Sequence, residues 1–306
     1  MRNSVIETIV NKAKKDNNIV FLTGDLGAGC LERFSDVFPD RYFNCGIAEQ
    51  GMMGIASGLA MEGKKVFIYS IGNFDTLRVL EQIRNDVSYM NLDINIIAVG
   101  AGMEYGQLGF SHYATEDIAC MRTMPNFIVL NPATKKEAIE CAEIMLTKKE
   151  PCYLALNKKG VEIDDSRAVG YPRLIKSGKD LAIFSSGAIL KEALEVSSIF
   201  EKYGINMAVY SVPVVKPLNK AKIEEVLKQY MCVFTLEEQT VIGGLGSAFA
   251  DILAPVRGKK PPLYMFGLND TFASTVGNRD YMRKAYKIDA KSVASKIKKI
   301  LGIATK

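Results

Sequence analysis

The apolar positions of this chain gather into short dense runs separated by segments of helical rhythm. Ile19-Val-Phe-Leu-Thr23, Lys65-Val-Phe-Ile-Tyr69, Ile94-Asn-Ile-Ile-Ala-Val99, Phe127-Ile-Val-Leu130 and Cys152-Tyr-Leu-Ala-Leu156 are rich in β-branched and aromatic residues. Runs that are apolar on both faces predict strands buried within parallel sheets. Helical spacing predicts helices over 4–15, from Glu49 onward, from Ser70-Ile-Gly-Asn-Phe74 through Arg84, and after Asn131-Pro-Ala-Thr134. A second series follows. Its strands are Asp180–Ser185, Asn206–Tyr210, Met231–Thr235 and Leu263–Phe266, and its helices 188–203, 219–229, Gly243 to Leu253 and 290–301. This alternation predicts an α/β protein of two doubly wound domains with mainly parallel sheets. Between the series, a polar stretch with Gly170, Pro172 and Gly178 has weak periodicity. It divides the chain into a domain at 1–160, a linker at 161–178 and a domain at 179–306.

The chain's 306 residues suit two domains. Apolar content of 48% and charged content of 24% are ordinary for a globular protein. The net charge of +5 is mild, and lysines are scattered, as in Lys12-Ala-Lys-Lys15 and Lys296-Ile-Lys-Lys299. They read as solvated helix faces, with no nucleic-acid footprint. The six cysteines form no CxxC pair, and the N-terminus lacks a signal-like pattern. Reduced, buried cysteines in a cytoplasmic protein are expected. No run of about eighteen apolar residues is present to span a membrane.

Chemistry concentrates around Arg41-Tyr-Phe-Asn-Cys-Gly-Ile-Ala-Glu49-Gln-Gly51-Met-Met-Gly54-Ile-Ala-Ser-Gly58. Each glycine inside the predicted helix costs about 1 kcal/mol against Ala. Their spacing puts all of them on one face, where another backbone can come close. Glu49 at the helix start either caps the helix or is held dry for chemistry. The loop Gly24-Asp-Leu-Gly-Ala-Gly29 is not a dinucleotide fingerprint, because Glu32 stands where the third glycine belongs. His112 is the only histidine, and it follows the Gly-rich stretch Gly100 to Gly109 after a predicted strand. Ligands of open α/β sheets lie there, although a lone histidine also serves as a satisfied structural residue. Glu237-Glu-Gln239 reads as a loop at a subunit interface, and Gly243 to Gly246 as a tight strand-to-helix turn.

Four stretches carry a resemblance. They are Phe38-Pro-Asp-Arg-Tyr-Phe-Asn-Cys-Gly-Ile-Ala-Glu49-Gln; Gln82-Ile-Arg-Asn-Asp86; Ser111-His112 with Glu116-Asp-Ile-Ala and Pro125-Asn126; and Thr240-Val-Ile-Gly-Gly-Leu-Gly-Ser247. In this order and spacing the chain resembles the C-terminal half of a transketolase, specifically the small subunit of a split two-chain enzyme. The resemblance implies a thiamine diphosphate-dependent transfer of a two-carbon ketol unit between sugars or sugar phosphates. It makes 1–160 a pyrimidine-binding domain and 179–306 the transketolase C-terminal domain. Glu49 matches the Glu that hydrogen-bonds N1′ of the cofactor's aminopyrimidine and so assists proton loss from thiazolium C2. Phe74 matches the aromatic that stacks on the pyrimidine. Leu26, Ile47 and Ile71 match apolar positions around the cofactor, with Ile71 where Phe is common. Asp25 matches an acid near the cofactor and the dimer interface, and His112 a histidine that faces the reacting ketose carbons. Arg2 and Lys158 match basic positions that hold a sugar phosphate; Lys in place of Arg at 158 loses the bidentate fork.

Other positions depart from the pattern. Gly29, Leu108 and Gly100 stand where the full-length enzymes commonly have Ser, Asp and His. The polar ring that reads an ordinary sugar phosphate is thinned, which leaves room for a specialised donor or acceptor. Gly24-Asp25 is followed by Leu26, and no Gly-Asp-Gly metal signature occurs. The resemblance therefore implies no metal ligand in this chain. A large partner subunit holds Mg²⁺ and the diphosphate, in an α2β2 heterotetramer. Two alternatives stay open. One is the β subunit of a 2-oxo acid dehydrogenase, which shares the Glu-Gln-Gly helix start but not Gln82–Asp86 or the Val241–Ser247 ending. The other is a non-catalytic scaffold subunit, against which Glu49 and His112 stand.

Overall fold

The dense apolar runs become the inner strands of two sheets in the computed structural model, which describes residues 1–165 and 171–303. The strands are β1 (Ile19–Thr23), β2 (Tyr42–Asn44), β3 (Lys65–Ile71), β4 (Ile94–Val99), β5 (Ile128–Leu130), β6 (Cys152–Leu156), β7 (Arg173–Lys176), β8 (Leu181–Ser185), β9 (Met207–Ser211), β10 (Val214–Lys216), β11 (Cys232–Thr240) and β12 (Leu263–Leu268). A seven-stranded sheet has the order β10-β5-β6-β4-β3-β1-β2, and a five-stranded sheet the order β12-β11-β8-β9-β7. Among the named strands, β10 against β5 and β7 against β9 pair antiparallel and the other pairings are parallel. β1, β4, β6, β8 and β9 are buried along their whole length, as strands covered by helices on both faces must be.

Both antiparallel edges depart from the sequence reading. β7 lies inside the stretch expected to be a linker, part of which, 166–170, falls outside the described residues. β10 belongs by sequence to the second half but pairs with the first half's sheet. One apolar core also runs through both halves, joining Val20, Ile68 and Ile96 to Phe184, Tyr210 and Phe249. The predicted helix through Arg84 is broken. A turn at 72–76 leads into 3₁₀ turn Leu77–Val79, a single α turn Leu80–Gln82 and a π-helical stretch Ile83–Ser88. The six cysteines are free, but Cys45 and Cys120 are only half-buried. No helix among the described residues is long and apolar enough to cross a membrane.

The largest correction concerns Glu237-Glu-Gln239. It is no loop: it continues β11, with all three residues buried. Glu237 accepts the backbone N–H groups of Leu245 (2.7 Å) and Gly246 (3.0 Å), which open helix Leu245–Leu253. Burial pushes its carboxyl up to about 7, against those hydrogen bonds. Glu238 pairs with Arg279 and Arg283, and Arg283 also reaches Glu192 at 3.0 Å. Burial alone would raise Glu238, but the two guanidinium groups outweigh it and hold the carboxyl at about 2. Its side chain packs against Gly102, so this ion network lies against the loop after β4.

Candidate active site

β1, β3, β4 and β6 run parallel, so their C-terminal ends open at one edge. The ladder continues past each end: Gly72 N–H donates to Val99 O (2.9 Å), and Gly100 N–H to Leu156 O (2.9 Å). The loops carrying Asp25, Phe74, His112 and Lys158 are thereby gathered at this edge, the usual ligand position of an open α/β sheet.

Helix Glu49–Met61 enters the site from β2 through a turn at Gly46, whose φ of 69° suits glycine. Met52, Met53, Ala56 and Ser57 bury one side of it. Gly51, Gly54 and Gly58 line the opposite, exposed side, and a Cβ at Gly54 or Gly58 would meet nothing within 4 Å. The small-residue face is real but unused within this chain.

Glu49 does not cap its helix, since no side chain bonds to the helix start. Its carboxylate is buried, with only 2% exposed. Oε2 accepts from Arg78 Nη1 at 2.9 Å, while Oε1 has no partner. Arg78 also lies over the Phe74 ring, its guanidinium carbon 4.3 Å from the centroid. Phe74 in turn meets His112, with centroids 5.2 Å apart. His112 Nδ1 shares a hydrogen bond with Ser111 Oγ at 3.0 Å, and Asn73 Nδ2 donates to Ser111 O at 2.9 Å, fixing the loop. Glu49, Phe74 and His112 thus belong to one contact chain, and Arg78 is its connecting member. Sequence reasoning missed Arg78, because nothing local marks a residue that acts through Glu49, 29 positions away.

Ile71 is buried, and Leu26 and half-buried Phe74 pack on the same core. Ile47, expected beside them, is instead 81% exposed. Asp25 takes a left-handed φ of 58°, held by a reciprocal pair with Asn44: Nδ2 donates to Oδ1 at 2.9 Å, and Asp25 N–H returns to Asn44 Oδ1 at 3.1 Å. Asp25 and Leu26 line a cavity of 360 Å³ with Tyr42 and Asn44.

Lys158 lies over Tyr105, and Arg2 lies near Tyr69 and Cys30. Lys158 Nζ is 4.7 Å from the Tyr105 ring centroid. Burial works to lower the Arg2 pKa, but Tyr69 and Cys30 beside it outweigh burial and raise it. Beneath the Phe74 turn lies a buried acid pair that sequence reasoning also missed. Asp75 is fully buried, and burial, with Asp117 nearby, drives its carboxyl well above the carboxylate range. Burial raises Asp117 to about 6, opposed by the Tyr153 hydroxyl, which donates to it at 2.5 Å.

Residues 1–162 match the transketolase pyrimidine binding domain, and residues 170–293 match the transketolase C-terminal domain. The chain belongs to the transketolase family. It is 35% identical over 305 residues to a Methanocaldococcus jannaschii protein described as a transketolase C-terminal section, covering 97% of this chain and 95% of that one. It is 32% identical to a 6-deoxy-6-sulfo-D-fructose transketolase subunit of a Clostridium species, over 96% of this chain and 92% of the relative. Among solved structures it resembles one described as a split-gene transketolase, an inactive β4 tetramer, with TM-score 0.84, 31% identity and 99% of each chain covered. The transketolase family is thiamine diphosphate-dependent, and among these relatives one is named as a subunit and one solved structure as a split-gene tetramer.

Proposed function

We propose that this chain is the small, pyrimidine-binding subunit of a two-chain transketolase that moves a two-carbon ketol unit between sugars. The observation that carries the reading is Glu49: a buried carboxylate with one unpartnered oxygen, joined through Arg78 to the Phe74 ring, which itself meets His112. An aminopyrimidine is flat and polar at its edge. It needs a carboxyl group at the edge and an apolar surface against its face, and these residues fit both needs. Thiamine diphosphate supplies the electron sink for breaking a carbon–carbon bond beside a carbonyl. Glu49 would hold a proton at the pyrimidine N1′, and Phe74 would stack on its ring. Ile71 and Leu26 would exclude water, with Ile47 closing the wall once a partner covers it. Asp25 would border the partner. His112 would move a proton on a ketose hydroxyl near the scissile bond.

Arg2 and Lys158 would clamp a distal anion. The relative named for 6-deoxy-6-sulfo-D-fructose supports a sulfonate or phosphate there. Leu108, Gly100 and Gly29 supply none of the usual polar contacts, which supports a specialised sugar. The diphosphate and Mg²⁺ would be held by a large subunit in an α2β2 assembly. The missing Gly-Asp-Gly sequence, the open glycine face and the inactivity of the similar β4 tetramer support this. Calorimetry with thiamine diphosphate and Mg²⁺ tests the reading. Binding should be weak for the isolated chain, tight with the large subunit and weakened by Glu49→Gln. Tight Mg²⁺-dependent binding by this chain alone would overturn the split site.

A further inference from the structure

Arg78 makes the two contacts that the proposed aminopyrimidine would make. Its Nη1 donates to Glu49 Oε2 at 2.9 Å, and its guanidinium carbon lies 4.3 Å from the Phe74 ring centroid. A guanidinium group is planar and delocalised, with donors along its edge and a face that stacks on aromatics. It is therefore a good stand-in for a flat heterocycle with a polar edge. The two compete for the Phe74 face that Arg78 covers, while Glu49 Oε1 stays free for either arrangement. The contact also has a clear physical reason in the empty chain. A carboxylate only 2% exposed needs a counter-charge, and Arg78 supplies it.

The arginine is placed to leave. Its side chain is 45% exposed, and Glu49 is its only ion-pair partner among the described residues. Its backbone stays anchored, because Gln50 Nε2 donates to Arg78 O at 3.1 Å. It sits in the 3₁₀ turn Leu77–Val79, ahead of the π-helical stretch Ile83–Ser88, and both are irregular forms that recur at hinges and functional sites.

Resting on the functional reading of Glu49 above, we infer that Arg78 is an internal occupant of the pyrimidine pocket. It neutralises Glu49 and covers Phe74 in the unassembled chain, and it swings toward solvent when the cofactor enters. The occupant competes with the ligand, so the chain's apparent affinity falls by the fraction of time the pocket is open. Premature capture of the cofactor by a lone subunit is thereby suppressed.

Thiamine, which carries the pyrimidine without the diphosphate, is the probe. It should not bind detectably to the isolated wild-type chain. Arg78→Met and Arg78→Ala should bind it at least about tenfold more tightly. Methylguanidinium should raise the melting temperature of Arg78→Ala but not of wild type, and should displace thiamine from that variant; this arm holds even if Arg78→Met folds poorly. Thiamine affinity unchanged in both variants, with no effect of methylguanidinium, overturns the stand-in. If Glu49→Gln still weakens cofactor binding to the assembled enzyme, the reading of the site survives that failure. If Glu49→Gln has no effect there, the site assignment itself has failed.

Discussion

Phe74 and His112 meet with ring centroids 5.2 Å apart and planes inclined by 61°. The contact ties the loop after β3 to the loop after β4. It sets the ring proposed to stack on the pyrimidine beside the proposed proton carrier. In the assembled enzyme, His112→Ala should mainly lower kcat, by about a hundredfold or more, as expected for loss of a general acid–base group. Steady-state kinetics on a ketose donor checks this. An unchanged kcat would leave His112 as packing for Phe74.

Lys158 should behave differently. A distal anion clamp contributes similar binding in ground and transition states, so Lys158→Ala should mainly raise KM. Loss of a charge-assisted contact costs roughly 1.5–3 kcal/mol, about ten- to a hundredfold. The comparison is between anionic ketoses and neutral analogues. Equal weakening of both would remove Arg2 and Lys158 from substrate binding.

Gly54 reports on assembly. A side chain there meets open space, and replacing a helical glycine by a better helix former gains up to about 1 kcal/mol. Gly54→Leu should therefore leave the isolated chain at least as heat-stable as wild type. In sedimentation with the large subunit it should fail to assemble, because the added bulk holds the facing backbone away. Normal assembly would show that this face stays in solvent.

Glu238 sets an acid limit on stability. Its folded value of about 2 lies below its ordinary 4.5, so the fold favours the carboxylate more than the unfolded chain does. That stabilisation is whole above about pH 4.5 and is lost as the pH falls toward about 2. Glu238→Gln leaves Arg279 and Arg283 without their shared partner, at a cost of about 3–5 kcal/mol for a broken buried pair. Urea melts at neutral and acid pH should find the variant weaker at pH 7 and less sensitive to acid. A pH response equal to wild type would assign the acid sensitivity to other carboxylates with lowered values, since Asp117 and Glu237, raised by burial, favour the fold as the pH falls.

The parts legible in the sequence share a physical cause. β1, β4, β6, β8 and β9 announce themselves because strands buried on both faces must be apolar throughout. β7 and β10 escaped because short sheet-edge strands carry polar residues and a weak pattern. β11 was cut short at Thr235 because Glu237 and Glu238 look like solvent-facing charges. Their partners are Arg279, 41 positions on, Arg283, and the backbone of a helix start. Ile47 read as a pocket wall from its place in a motif, yet its 81% exposure leaves that wall unbuilt within one chain.

The sequence by itself determined the alternating α/β architecture, the family, the glycine face and the positions of Glu49, Phe74 and His112. The architecture and the glycine face rest on spacing along local stretches; the family and the choice of Glu49, Phe74 and His112 rest on the resemblance carried by four motifs. Only the tertiary structure decided what those residues touch. It turned a candidate helix cap into a buried carboxylate, put Arg78 against it from 29 positions away, and moved β10 from the second half into the first sheet. Such pairings depend on how strand ends and loops converge in space, and burial makes them selective: a buried charge must find its partner wherever the fold delivers one.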